Sequence, residues 1–192
     1  VEVFRALTDV PKKTVQGLWA ELFFIENGTD SSTLLNYWHQ IPEEKFDFNA
    51  GKEKVEVKSN TNFDRIHIFS SEQLNPPQET QVLIASIFVR QNTNGKSIQE
   101  LVNNITNKLK NDFELIDKLN SIVCNTLGNT IEQSIMMKFD YGIAKDSLLF
   151  YKHQDIPKIE ELNIPNQVSE VKYKSDLSWV TSIFWGATGL GE

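Results

Sequence analysis

The chain has 192 residues, 40% of them apolar and 23% charged, which is enough for one packed domain or one with a small appendage. Its formal net charge of −7 excludes a simple basic nucleic-acid binder, because lysines and arginines on phosphate supply most of the affinity of such proteins. No run of about eighteen apolar residues offers a membrane span, and no basic flank with an apolar block offers a secretory signal. The single Cys124 excludes an internal disulfide and fits a reducing, cytoplasmic setting.

The chain opens on Val1 rather than Met, as a piece of a longer chain would. Residues 1–10 carry Val1, Val3, Phe4 and Leu7 without a clear period. From about residue 14 to 27, Val15, Leu18, Trp19, Leu22, Phe23 and Ile25 recur at helical spacing, and Asn27-Gly28 stops the run. Glu21 falls beside that apolar face. Burying it unpaired would be costly, so it points to solvent, the commoner case, or faces a polar site. Asp30-Ser31-Ser32 caps a second short helix through Trp38, and Pro42 ends it. Strands follow at about 45–49, 54–59 and 65–69, the third with Arg65, His67 and Phe69 on one face. Ser70 caps a helical turn through Leu74, which Pro76-Pro77 breaks. The run from Val82 to Val89 is nearly all apolar, the mark of a central strand covered on both faces. Ser97 with Glu100 forms a capping box for a helix over about 98–110, its stripe being Leu101, Val102, Ile105 and Leu109. A helix over about 112–127 turns Phe113, Ile116, Leu119, Val123 and Leu127 inward, with Cys124 as a packed thiol and Gly128 as its stop. Strands are expected at about 134–142, 146–152 and 169–174, and a loose tail at 185–191. This is an α/β plan with a mixed sheet. Residues 1–152 form the main domain, and 153–192 add a strand and tail packed on it.

One stretch carries chemistry. Asp47 sits in Lys45-Phe46-Asp47-Phe48, and Glu56 and Lys58 sit in Lys54-Val55-Glu56-Val57-Lys58. Residues two apart on a strand share a face, so Glu56 and Lys58 lie together while Val55 and Val57 occupy the other side. A hairpin brings Asp47 beside Glu56. Two carboxylates and an ammonium on one polar spot suit magnesium and metal-assisted phosphodiester hydrolysis. An ordinary amphipathic strand with its charged face in water shows the same alternation. Glu-x-Lys also occurs at Glu43-Glu44-Lys45 and Glu170-Val171-Lys172, but only the copy at Glu56 has an acidic strand at short hairpin distance.

Taken as an ordered set, these segments resemble the PD-(D/E)XK superfamily of restriction-endonuclease-like nucleases, and within it a bacterial defence-associated branch. The segments are Gly17-Leu18-Trp19-Ala20-Glu21-Leu22, Asp47-Phe48, Glu56-Val57-Lys58 and His67-Ile68-Phe69-Ser70-Ser71-Glu72-Gln73-Leu74. The resemblance spans about residues 14–110. Phe46 stands where the family name has proline. The resemblance implies a restriction-endonuclease-like core, a central mixed sheet flanked by helices. It implies one magnesium ion, or manganese in its place, held by Asp47, Glu56 and the main-chain carbonyl of Val57. Glu21 would reach a second ion or the water on the first. Lys58 would orient or deprotonate the attacking water, and Gln73 and His67 would contact the phosphate backbone. A strand residue bonded to a neighbour is the plainer reading of His67. The implied substrate is DNA, bound weakly by this chain alone, in a restriction or defence setting with an ATPase or methyltransferase partner; a homodimer is compatible with it. The acidic charge favours a second reading, an inactive nuclease fold that binds or assembles. A third reading, an unrelated α/β interaction module, would scatter Glu21, Asp47 and Glu56 over the surface.

Overall fold

The computed structural model describes residues 12–39 and 44–183. The expectations for residues 1–11, 40–43 and the 185–191 tail fall outside them. In chain order the elements are α1 (Lys12–Asn27), α2 (Ser31–Tyr37), β1 (Phe48–Ala50), β2 (Glu53–Asn60), β3 (Ile66–Ser70), α3 (Ser71–Leu74), β4 (Gln81–Phe88), β5 (Gln91–Ser97), α4 (Ile98–Lys108), α5 (Phe113–Leu127), α6 (Ile131–Ser134), β6 (Lys138–Phe139), α7 (Tyr141–Ser147), β7 (Leu149–Lys152) and β8 (Lys172–Asp176). Two compact units hold the described residues, one made of those up to Asn36 with Val89–Ala144, the other of those in Tyr37–Phe88 with those from Lys145. Among the described residues no helix is long and apolar enough to cross a membrane.

In the first unit α1 buries Val15, Leu18, Trp19, Leu22, Phe23, Phe24 and Ile25 against α4 and α5. A helix apolar over so wide an arc belongs inside a core. Trp19 satisfies its indole by donating to the Lys96 carbonyl at 2.9 Å, and its ring stacks on Phe23. Asp30 caps α2 through the Ser32 and Thr33 amides. The Ser97–Glu100 capping box forms as the sequence predicts, with Glu100 accepting from the Ser97 amide at 2.7 Å and Ser97 Oγ accepting from the Glu100 amide at 3.1 Å.

Three expectations for this unit need correction. Phe113 is 78% exposed, and Leu115, Leu119, Ile122, Val123 and Leu127 form the buried stripe of α5. Asp112 caps the helix, so Phe113 is its first residue and lies out of phase with that stripe. Cys124, the neighbour of Val123 on the far side of the same helix, is exposed. The strand expected at 134–142 shrinks to β6, because Asp140 accepts the Ile143 amide and starts α7 instead. Its partner β5, a polar Gln-Asn-Thr-Asn-Gly run, offers no apolar alternation to read. The two approach so closely that a Cβ at Gly95 would fall 1.9 Å from the Phe139 oxygen.

The second unit holds a four-stranded mixed sheet in the order β1-β2-β4-β7. β1 and β2 are antiparallel, β2 and β4 parallel, and β4 and β7 antiparallel. β4 is an interior strand, as its apolar run predicts. β3 and β8 form a separate antiparallel ribbon. With helices before and between the strands along the chain, the class is mixed α/β, consistent with a restriction-endonuclease-like fold. A core of Phe46, Phe69, Leu74, Val82, Ile84, Tyr151, Ile156 and Leu177 sits in this unit.

Candidate active site

The site is built on the β1–β2 hairpin. Phe48 pairs with Val55 and Ala50 with Glu53, and the chain reverses through Gly51 at φ 72°, a left-handed conformation that suits glycine. Residues 45–47 are bends rather than strand, so the expected strand at 45–49 begins only at Phe48. The side chain of Asp47 explains the irregularity. Its Oδ2 accepts the Val57 amide at 2.6 Å and so fastens the bend to β2. Phe46, just before it, is buried in the core, which anchors the bend from the other side. Continuing the hairpin register by one residue sets Asp47 opposite Glu56.

Glu56 and Lys58 face the same way, as the alternation predicts. Lys58 Nζ lies 2.7 Å from Glu56 Oε1, with the side chains 18% and 8% exposed. The ammonium also donates to Gln73 Oε1 at 3.2 Å and stands 5.2 Å over the Phe69 ring. Gln73 is itself braced. Its Oε1 accepts the Ser70 amide at 3.1 Å, and its Nε2 donates to the Lys45 carbonyl at 3.2 Å. One glutamine therefore ties the helical turn α3, the catalytic-candidate lysine and the bend before Asp47.

His67 is buried beneath this surface on β3. Its Nε2 lies 2.7 Å from Ser86 Oγ, which in turn accepts from Arg65 at 2.8 Å. Burial, reinforced by the charges of Lys58 and Arg65 and opposed by Asp64, pushes the imidazole down to about 4. Arg65 also donates to the Ser86 and Ser147 carbonyls, so its charge is turned into the unit. Glu21 lies half-buried on α1 of the first unit. A groove of about 570 Å³ opens beside the hairpin, lined by Lys45, Phe46, Asn49, Lys54, Glu72 and Pro76 among others, but not by Asp47, Glu56 or Lys58.

One residue was not anticipated. Trp38 makes an antiparallel bridge with Phe48, and the His39 amide donates to the Asp47 carbonyl at 2.9 Å. His39 is thus the cross-strand neighbour of Asp47, and a ring nitrogen stands within 4.8 Å of an Asp47 carboxylate oxygen. The sequence shows only a lone His after a short helix. The bridge that gives it meaning joins one residue on each side and leaves no periodic trace.

The chain matches, over residues 1–178, a family described as "Putative PD-(D/E)XK family member, (DUF4420)". It belongs to that family. No curated protein and no solved structure matches it. In this PD-(D/E)XK family member, Glu56, Val57 and Lys58 have the acidic-x-Lys order of the family name, and Asp47 precedes them on the other side of the hairpin. Phe46, just before Asp47, is a core residue. Nucleases of this kind generally use divalent metals, and the Asp47 carboxylate with the His39 imidazole beside it offers donors that fit such an ion.

Proposed function

We propose that the chain is a metal-dependent nuclease hydrolysing phosphodiester bonds of DNA, cytoplasmic, in a bacterial restriction or defence system. The observation that carries this reading is the Glu56–Lys58 pair at 2.7 Å, two residues apart on one strand, with Asp47 fastened to the amide of the residue between them. Asp47, Glu56 and the Val57 carbonyl would hold magnesium, or manganese in its place. When bound, the ion supplies charge stabilisation at phosphate and a lowered pKa for water. Glu21 enters from the family resemblance as a further carboxylate.

The chain's own residues divide the remaining work. Lys58 offers an ammonium to a phosphate oxygen or to the attacking water, where a fixed positive charge lowers the cost of building up negative charge. Glu56 and Gln73 hold that ammonium in place. His67 lies behind it as a buried neutral ring, so no second positive charge competes for the spot. A partner such as an ATPase or methyltransferase, and a homodimer, belong to the same reading. Of these, a partner of another kind would supply the DNA-binding charge that a chain at −7 lacks.

The test is cleavage of plasmid and linear DNA, with RNA as control, in Mg²⁺ or Mn²⁺. Metal-dependent cleavage lost in D47N and in K58M supports the proposal. Cleavage unchanged in both variants would overturn it. DNA binding without cleavage in any metal would favour the second reading, an inactive nuclease fold that binds or assembles, which the acidic charge also fits.

A further inference from the structure

We infer that His39 is a direct ligand of the catalytic metal and biases the site away from magnesium toward borderline ions such as manganese; this rests on the metal-dependent reading above. The Trp38–Phe48 bridge and the Phe48–Val55 pair place three chain segments side by side. Counting one residue outward in both pairings gives a single row, His39, Asp47 and Glu56. Residues in a row across neighbouring antiparallel segments project to the same face, with Cβ atoms about 4.5–5.5 Å apart. The His39 amide bonded to the Asp47 carbonyl holds the first half of that row at 2.9 Å.

The side chains follow the backbone. A His39 ring nitrogen and an Asp47 carboxylate oxygen lie within 4.8 Å of each other. Metal–nitrogen and metal–oxygen bonds of roughly 2.0–2.2 Å let one ion span up to about 4.4 Å between two ligand atoms. Binding therefore needs little or no movement of the pair. Trp38, fully buried beside it, fixes the backbone from which His39 projects. Imidazole nitrogen suits first-row transition ions, whereas magnesium prefers oxygen and keeps its waters. A site of two carboxylates and a carbonyl alone would favour magnesium; one imidazole in the same row shifts the preference.

The experiment reads the ligand rather than the activity. The whole protein is loaded with Mn²⁺ and pulsed electron paramagnetic resonance records nitrogen coupling to the ion, alongside calorimetric titration with Mn²⁺ and Mg²⁺. H39Q, H39A and D47N are compared, with circular dichroism confirming that each is folded. The inference expects a directly coordinated ¹⁴N signal, lost in both His39 variants, and a fall of about tenfold or more in Mn²⁺ affinity with a smaller change for Mg²⁺. Mn²⁺ bound in an Asp47-dependent way without nitrogen coupling, or with coupling that survives in H39Q and H39A, would overturn the role of His39 and leave the metal reading standing. No Mn²⁺ binding by the unaltered protein would overturn both.

Discussion

Asp47 has two duties, and substitutions separate them. Its carboxylate holds the Val57 amide, so D47A should lower unfolding stability by about 1–3 kcal/mol, the range for losing a hydrogen bond to a charged group. D47N keeps an acceptor oxygen and should recover most of that loss while remaining inactive. Urea melts and cleavage assays on the same preparations check both halves. His67 makes a separate prediction. An imidazole held near 4 in the folded protein and at its ordinary value of about 6.5 when unfolded stays neutral in both states above that range. As pH falls from about 6.5 to about 4 the unfolded chain takes up the proton first. Stability should therefore decline through that window, by on the order of 3 kcal/mol from this group. Buried His153 is also lowered by desolvation and acts in the same direction. H67Q should flatten the pH dependence of the urea midpoint between 4 and 6.5, and an undiminished slope would show that other groups carry it.

Along β2, the Glu56–Lys58 pair is buried enough that removing one partner should harm more than removing both. K58M leaves the Glu56 carboxylate, 8% exposed, without its ammonium and should cost about 3–5 kcal/mol. The double change E56Q/K58M should recover much of that, and equal losses in the two proteins would argue that the pair is solvated. At the β5–β6 ribbon, G95A must push backbone against backbone and should cost about 1–3 kcal/mol, read as a fall in Tm. The contrast between these elements shows what the sequence discloses. α1, α4 and β4 were legible because apolar spacing, a capping box and a continuous Val/Ile/Leu run are local signals that tertiary packing reinforced. The carboxylate and lysine of β2 were legible through period two. β5 was not, because its residues are polar and its reason for being a strand is a close approach to Phe139. Asp47 was legible as the acidic residue at hairpin distance from Glu56, but its bend and His39 beside it were not, because both depend on hydrogen bonds between segments rather than on any pattern within one.

At the scale of the whole molecule, charge decides what this chain does unaided. Arg65, one of the cations available to build a positive field, is committed to Ser86 and Ser147 inside its own unit. Lys108 donates to the Glu26 carbonyl and Lys118 to the Asn36 carbonyl in the other unit. Few phosphates would be neutralised, so folded D47N protein should bind DNA weakly, and log affinity should fall only shallowly with log salt. Filter binding at several salt concentrations checks this; tight binding with a steep slope would reveal a basic face supplied by the chain itself.

The β3–β8 ribbon has a consequence for how the protein is made. It pairs Ile66 with Asp176 and Ser70 with Lys172, segments about a hundred residues apart. Synthesis at about 5–20 residues per second puts on the order of ten seconds between the emergence of one strand and that of the other from the ribosome. Throughout that interval β3 carries His67 and Phe69 on an edge with no ribbon partner, the kind of edge that invites pairing with another chain. Nascent chains stalled before β8 should therefore be the ones that recruit chaperones, and emergence of β8 should end that recruitment. The ribbon that carries His67 closes only after β8 has been made.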